Sequence, residues 1–471
     1  MKMRLQFLTL ATVFVLVIIG CNQRISADET QAAPGIEKTK SQVAEKEDFF
    51  EKNLTGVQEQ IQPQKDSYLL EDCKKYPLPP DCNLIPEQER KLFCERCKQI
   101  FLELEQQIGH LKEDRRNIIP GVPSCGDKKE LFSVSHIPIS ELQNIVPLGN
   151  LNPSGHTFPT NHLYFHLKGF IGDESSSNAP VVAPGDIWIT RIGSSEYTMK
   201  GRQIKDYKLD FAVCTEVKGY FIHIISLSEK LLQSFAQPDK CEEYETGGIH
   251  YKNCEKDFYS SPIALAANEP IGTASGSSDF GLADLRTQEL VYANPKRWYE
   301  DPLHRVCPLD YFSEGIRTQL KSLLGSSDKK RTIEPVCGEV AQDKPVTAQG
   351  VWFVKGTSET HPEDLHLALV HDNIDPAKAV FSVGTSINGL PSGTYSFNPA
   401  SSGFINRDFK DILDDGKVYC YETQGGKSYT QYIAVILQLT SPTTLRIEKQ
   451  NSNVCGNGPW TFSSNYADFE R

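Results

Sequence analysis

Three histidines lie close together in the stretch "HTFPTNHLYFHL", and imidazole is the side chain that most often binds metals or moves protons near neutral pH. His162 and His166 are four residues apart, and His156 lies upstream. The stretch reads as a strand, so His162 and His166 would face the same side. On a straight strand their Cβ atoms would be roughly 13 Å apart, so one ion could be shared only if the chain bends. Inert histidines on an ordinary sheet are the alternative.

Predicted strands surround these histidines and would have to position them. The region from residue 120 to about residue 300 is β-rich, with runs such as "DIWITRI", "YKLDFAVC" and "YFIHIISL". Gly and Pro separate the runs at "GVPSCG", "NPSGHTFP" and "APGD". Short runs of this composition between turn signals are typical of strands. We therefore expect the histidines to lie on a β domain.

The motifs of this domain follow a recognisable order between residues 155 and 286. They are "PTNHLYFHL", "PVVAPGDIWITRIG", "DYKLDFAV", "GYFIHIISLS" and "NEPIGTASGSSDFGLADLR". This order resembles that of the lysostaphin-type zinc metallopeptidases, which cleave peptide cross-links in cell walls. In that family a histidine begins an H-x-x-x-D motif, and V-x-A-P-x-x-G-x-V and Y-x-H-L strands follow. A G-x-x-I-G-x-x-G turn then precedes a closing H-x-H.

The resemblance assigns roles to individual residues. His162 falls on the first zinc-ligand position, His166 falls where the family has its aspartate, and His223 falls on the Y-x-H-L histidine that assists catalysis. The closing H-x-H is absent, and "SDFGLAD" occupies that strand, with Asp279 and Gly281 as the nearest equivalents. An active enzyme would have to bind zinc through His162, His166 and Asp279, with His223 assisting.

A hydrolytic zinc ion needs three protein ligands and one open position for a water molecule. Glycine at position 281 has no donor side chain, so the third ligand would have to be Asp279 or His156. The resemblance therefore implies a domain that keeps the lysostaphin-like fold but does not cut. No cofactor is expected on this interpretation, and zinc belongs to the alternative.

Aromatic residues of the same domain could line a cleft for a chain-like ligand. Phe158, Tyr164, Trp188 and Tyr220 could stack on sugars or peptide groups. Packing in the core is the alternative for each of them.

The cysteines indicate export. The chain has thirteen, and removing Cys21 leaves an even number. Pairing is the default for cysteines outside the cytoplasm, although spacing does not give the connectivity. We expect the pairs Cys125–Cys214, Cys241–Cys254, Cys307–Cys337 and Cys420–Cys455. The other four, Cys73, Cys82, Cys94 and Cys97, lack the paired C-x-x-C pattern of a zinc finger and are predicted to staple a helical segment.

The N-terminus carries a targeting signal. Lys2 and Arg4 precede an apolar stretch from Leu5 to Ile19, and "IIGC" ends at Cys21. This resembles a bacterial lipobox, in which the cysteine is acylated and becomes the mature N-terminus. An ordinary secretory signal is the alternative. The lipobox predicts a lipid-anchored protein of the cell envelope, outside the cytoplasm.

Composition divides the remaining chain into further segments. Residues 22–68 are polar and predict a disordered tether. Residues 69–119 form the Cys-rich helical segment, residues 120–300 the lysostaphin-like β domain, and residues 301–344 a mixed connector with a helix from Tyr311 to Leu324. Short strands at regular spacing over residues 345–471 predict a β-barrel or sandwich.

Taken together, these features predict a mainly β, envelope-tethered protein with a noncatalytic binding role. The expected partners are the membrane, through the lipid on Cys21, and cell-wall peptide or glycan or another envelope protein. The net charge of −12 argues against nucleic-acid binding. A zinc-dependent cell-wall endopeptidase with a rearranged ligand set and a purely architectural envelope protein are the two alternatives.

Overall fold

The computed structural model describes residues 119–172, 177–199, 201–246, 249–298, 300–357, 360, 362–425 and 431–471. All of these belong to the structural unit Lys112–Arg471. The predicted signal sequence with Cys21, the tether and the segment containing Cys73, Cys82, Cys94 and Cys97 lie outside the described residues.

Within the described residues the chain is mainly β, as predicted, with few and short helices. The α-helices are α1 (Glu229–Phe235), α2 (Glu300–Leu303) and α3 (Glu314–Lys321). The strands are β1 (Leu142–Val146), β2 (Leu163–Leu167), β3 (Asn178–Val182), β4 (Ile187–Met199), β5 (Arg202–Ala212), β6 (Val217–Leu227), β7 (Lys240–Thr246), β8 (Ile249–Asp257), β9 (Ile263–Leu265), β10 (Pro270–Asp284), β11 (Arg305–Val306), β12 (Gly350–Val354), β13 (Leu367–His371), β14 (Ala379–Val383), β15 (Gly393–Phe397), β16 (Tyr419–Gly425), β17 (Gln431–Ser441), β18 (Thr444–Lys449) and β19 (Ala467–Glu470).

The first eleven strands form one sheet around the long strand β10. The strand order is β1-β2-β10-β6-β5-β4-β8-β7, with β3 and β11 also pairing to β10 and β9 pairing to β4. All of these pairs are antiparallel, and β10 lies between β2 and β6 along its second half. The sheet therefore places residues of β2, β6 and β10 side by side, which is where the histidine motifs fall.

One face of this sheet packs an aromatic core. Side chains alternate on β2, with Leu163, Phe165 and Leu167 buried and Tyr164 and His166 partly exposed. Phe280 of β10 stands at the centre of the core and contacts five other phenylalanines: Phe132, Phe165, Phe211, Phe221 and Phe312. Because strand side chains have a period of two, Asp279 and Gly281 beside Phe280 point to the opposite face.

The C-terminal strands close into a barrel, which is one of the two architectures, barrel or sandwich, that the regular strand spacing predicted. Strands β12 to β19 follow one another in sequence around it, and β12 pairs with β19 to complete the ring. Its interior is filled by buried aromatic side chains: Trp352, Phe381, Tyr395, Phe397, Phe409 and Tyr421. Among the described residues, each strand of this ring therefore pairs with a neighbouring strand on both sides.

A third, smaller apolar cluster joins the sheet region to the barrel. Val351 and Phe353 of β12 point out of the barrel and pack with Phe158 and Tyr292, whereas Trp352 between them points into the barrel. Because side chains alternate along β12, this five-residue strand contributes to two hydrophobic clusters, one inside the barrel and one outside it.

Four disulfides join the described cysteines: Cys125–Cys214, Cys241–Cys254, Cys307–Cys337 and Cys420–Cys455. These are the four pairs expected from the sequence. Disulfides of this number are typical of an oxidising compartment outside the cytoplasm.

The connector differs in detail from its prediction. The helix expected from Tyr311 to Leu324 is shorter, because Pro308–Tyr311 forms a 3-10 turn and α3 begins only at Glu314. Pro308 cannot donate a backbone hydrogen bond and fixes the start of that separate turn. Among the described helices, none is long and apolar enough to cross a membrane.

Candidate functional site

His162 lies immediately before β2 and is buried, with 4% of its surface exposed. Its Nδ1 is 3.0 Å from the hydroxyl oxygen of Tyr220, which stands on β6. Tyr220 donates its only proton to Oδ1 of Asn161 at 2.5 Å, so Nδ1 of His162 must be the donor to the hydroxyl. In a neutral imidazole the other nitrogen, Nε2, then has no proton, and it is buried without a hydrogen-bond partner.

Asp279 lies between two imidazoles. Its Oδ2 is 3.4 Å from Nε2 of His162 and 3.4 Å from Nε2 of His223. The carboxylate is buried, with 3% of its side chain exposed, whereas 47% of the His223 side chain is exposed. On its other side, Nδ1 of His223 donates to Oδ2 of Asp206 at 2.7 Å. Both nitrogens of His223 therefore face carboxylates, which only accept hydrogen bonds.

The backbone at His223 is unusual and explains this orientation. His223 has φ of +64°, a left-handed conformation that residues other than glycine rarely adopt. The pairing between β5 and β6 shifts register here: Tyr207 pairs with Ile224 but Leu209 pairs with Phe221, so β6 carries one extra residue at this point. Such a bulge turns a side chain that regular strand geometry would direct elsewhere. The bulge therefore brings the His223 imidazole to Asp279.

His162, Asp279 and His223 differ in the direction in which the site shifts their pKa values. Burial disfavours charge on His223, but Asp279 and Asp206 outweigh this effect and raise the pKa of His223 well above its usual value. Burial would raise the pKa of Asp279, and the positive charge of His223 lowers it. Burial lowers the pKa of His162 to about 4, so His162 is neutral at pH 7. The site is an ion pair, His223 with Asp279, beside a neutral histidine.

Tyr220 occupies the position next to Gly281. A Cβ atom added at Gly281 would come within 2.4 Å of the Tyr220 ring, so only glycine allows the ring to lie across β10. In the resemblance to the lysostaphin-type peptidases, Gly281 corresponds to the second histidine of the closing H-x-H. The Tyr220 ring lies where a side chain at position 281 would begin.

His166 does not join the cluster. It stacks on Phe170 with ring centroids 3.9 Å apart, although it shares the sheet face with Tyr164. Burial also lowers the pKa of His166 to about 4, which keeps the imidazole neutral. The structure thus brings together His162, Asp279 and His223 but leaves out His166, the residue that the resemblance placed at the aspartate position.

These residues do not fit a hydrolytic zinc ion, which needs three protein ligands. Nε2 of His162 and Oδ2 of Asp279 could serve as two, but both nitrogens of His223 are directed at carboxylates. Among the described residues, the only His, Cys, Asp or Glu group with all ligand atoms within 4.8 Å of one another is Cys125, Cys214 and Glu216, and its cysteines form a disulfide. The positive charge beside Asp279 comes instead from His223.

A cavity of about 250 Å³ opens next to His162 and Tyr220, between the sheet and the barrel. Of the four aromatic residues proposed as a stacking surface, Phe158 and Tyr220 line this cavity. Trp188 packs instead against Ile119, Val122 and Ala212, and the Tyr164 ring lies 4.7 Å from the His162 ring.

The cavity wall also includes residues that the sequence did not point to, among them Trp298, Arg305 and Glu363. Trp298 lies at the end of the region 120–300, Arg305 lies in the connector and Glu363 lies in the C-terminal region that forms the barrel. No local pattern marks them; only the pairing of β11 with β10 and the packing of the barrel bring them here.

The fit of Tyr220 over Gly281 can be tested by substitution. Gly281→Ala is expected to lower the free energy of unfolding by about 1.5 kcal/mol, because the added methyl group overpacks the site and displaces the ring. Urea unfolding of the full chain measures this change.

Gly193→Ala on β4 is the matched control, since its Cβ would meet nothing closer than carbonyl oxygens at 4.0 Å. In a Tyr220→Ala background, Gly281→Ala should cost much less. Equal stability of the two single alanine variants would contradict this account of the ring.

Comparison with family models, with curated proteins and with solved structures found no match to this chain.

Proposed function

We propose that this protein is a lipid-anchored binding protein of the cell envelope, whose lysostaphin-like domain holds cell-wall material or an envelope partner without cutting it. The Tyr220 ring across Gly281 carries the proposal. Under the lysostaphin-like resemblance, position 281 corresponds to a zinc ligand; here it is a glycine covered by the Tyr220 ring, and the ring also lines the neighbouring cavity. A chain descended from a peptidase could keep its binding groove in this way and lose hydrolysis.

The composition of the cavity supports binding. Phe158 and Trp298 provide apolar wall, and Asn161 and His162 provide polar groups at one end. A concave, mostly apolar surface with a few fixed polar groups is the usual form of a small-ligand site. The four disulfides support a location outside the cytoplasm. Anchoring through Cys21 is proposed from the sequence alone.

One observation favours the alternative, a zinc endopeptidase with a rearranged ligand set. Nε2 of His162 carries no proton and lies 3.4 Å from Oδ2 of Asp279, so two donor atoms already face each other. Zinc analysis of the chelator-treated and reloaded full chain separates the two functions. One equivalent of zinc that is lost in His162→Ala would favour the enzyme.

Retention on purified sacculi tests the proposed function. We expect the full chain to sediment with sacculi well above an albumin control. His162→Ala should reduce this retention, because His162 lines the cavity and holds the Tyr220 hydroxyl in place. His250→Ala is the matched control, since His250 is an exposed histidine on β8.

Two results would contradict the proposal. If the full chain is retained on sacculi no more than albumin is, cell-wall material is ruled out as its ligand. Release of soluble wall fragments by the full chain, and not by His162→Ala, shows that the site cuts.

A further inference from the structure

We infer that the cavity beside Tyr220 binds the terminal carboxylate of a peptide and that Arg305 is its anion-binding residue. This inference deepens the proposed function and rests on it. It identifies the chemical group of the ligand that the cavity recognises.

Arg305 is held over the cavity by the sheet. It lies on β11, where it pairs with Ala283 of β10, and its guanidinium is 5.2 Å from the centroid of the Tyr220 ring. The ring is therefore placed between Gly281 on its own sheet and the guanidinium above. A cation over an aromatic face is attracted to it, and this fixes the guanidinium plane beside the cavity.

The guanidinium of Arg305 has hydrogen-bonding capacity to spare. Among the described residues, no carboxylate, carbonyl or hydroxyl accepts a hydrogen bond from it, and its Nε is fully buried without a partner. A guanidinium has five N–H donors, and leaving a buried donor unsatisfied costs free energy. An anion bound here would recover that cost.

The other charged groups of the cavity are already engaged. Nζ of Lys208 is 3.3 Å from Oδ1 of Asp210, and the carboxylate of Glu363 accepts a hydrogen bond from the backbone N–H of Phe158 at 3.0 Å. His162 is held by Tyr220, and the His156 ring lies 5.4 Å from the His162 ring. Arg305 is thus the charged group whose donors point to no protein acceptor in this part of the structure.

The shape of the site selects the kind of anion. The planar fork of a guanidinium matches the two oxygens of a carboxylate. Phe158, Trp298 and Val351 also line the cavity and provide apolar surface that suits a small aliphatic side chain. A volume of about 250 Å³ accommodates the end of a chain and not a long segment of it. A terminal residue with a free carboxylate and a small side chain satisfies all three features.

Titration calorimetry of the full chain with short peptides tests the inference. The probes are N-acetyl-alanyl-alanine with a free carboxylate and the same peptide as its amide, each in the all-L and the all-D form. The free acid should bind at least about tenfold more tightly than the amide, because only the acid offers a charged partner to the guanidinium. Tighter binding of the all-L peptide would indicate the C-terminus of a protein as the ligand, and tighter binding of the all-D peptide would indicate a cell-wall stem peptide. Either preference supports recognition of a terminal carboxylate.

Variants of Arg305 identify the residue responsible. Arg305→Met keeps an apolar stem over Tyr220 and should remove the preference for the acid over the amide. Arg202→Met, at the exposed start of β5, is the matched control and should leave it unchanged. The inference is overturned if acid and amide bind equally, if Arg305→Met binds the acid as tightly as the unaltered chain, or if inorganic phosphate competes as well as the peptide acid.

Failure of this inference and failure of the proposed function can be told apart. Retention on sacculi without any preference for the peptide acid overturns the role of Arg305 and leaves the proposed function standing. Arg305-dependent binding of the peptide acid without retention on sacculi keeps the carboxylate site and removes cell-wall material as its source.

Discussion

At a pH of about 4.5, the His136→Leu variant is expected to lose about 2.5 kcal/mol less free energy of unfolding, relative to neutral pH, than the unaltered chain does. His136 is fully buried, and neither of its ring nitrogens has a hydrogen-bond partner among the described residues. It is enclosed by Phe165, Phe221 and Phe280, with ring centroids 4.3, 5.2 and 5.1 Å away.

The direction of this effect follows from burial. Desolvation lowers the pKa of His136 to about 3, whereas an unfolded chain binds the proton with an ordinary histidine pKa near 6.5. Because the unfolded state takes up the proton first, stability is complete above that pKa. It declines as the pH falls from there towards the folded value of about 3. Leucine cannot be protonated, so this contribution to acid unfolding disappears.

Urea unfolding of both chains between neutral pH and mildly acidic pH measures the difference. At neutral pH the variant should be at least as stable, because two unsatisfied nitrogen atoms are removed from an apolar core. His250→Leu, at an exposed histidine, should follow the unaltered chain throughout. If the stability of His136→Leu runs parallel to that of the unaltered chain, His136 is not buried in its neutral form.

The second large effect concerns the charge beside Asp279. His223→Asn is expected to lower the free energy of unfolding by about 2 kcal/mol, less than for a fully buried pair because His223 is half exposed to water. The variant leaves the Asp279 carboxylate buried without its cation. Asparagine tolerates the left-handed backbone at this position, so the substitution tests charge and not strain.

A double-mutant cycle isolates this interaction. Asp279→Asn in the His223→Asn background removes the uncompensated charge and should recover most of the lost stability. Urea unfolding at neutral pH measures all four chains. Additive effects of the two substitutions would show that the imidazolium does not compensate Asp279.

Much of the fold follows from sequence periodicity. Runs such as "LHLALV" and "YIAVILQLT" at regular spacing predicted a C-terminal barrel or sandwich; β17 contains the whole second run, and β13 contains the last four residues of the first. The four disulfide pairs expected from the sequence are also present, although spacing alone does not determine connectivity; for example, Cys241 and Cys254 pair across the antiparallel strands β7 and β8.

The candidate site was only partly predictable. Motif order selected His162, His223 and Asp279, and the structure places these three together. His166 matched the same motif, but its ring turns to Phe170. A motif gives the position of a residue along a strand and does not give the direction of its side chain.

Other parts of the site depend on contacts between distant segments. Arg305 comes from the two-residue strand β11, which has no periodicity to detect. The need for glycine at 281 becomes visible only when Tyr220 is seen across it. The bulge at His223 likewise depends on a register shift between β5 and β6, which no single segment encodes.

Strand β12 has a consequence for how this chain could be inherited. Trp352 completes the interior of the barrel, while Val351 and Phe353 on the same five residues complete the cluster against Phe158. If the chain were divided near residue 345, the apolar side chains of this cluster would be exposed to water on both fragments. We therefore do not expect the barrel to be a domain that recombination could exchange between proteins on its own. The two halves are expected to be transmitted, gained and lost together as one module.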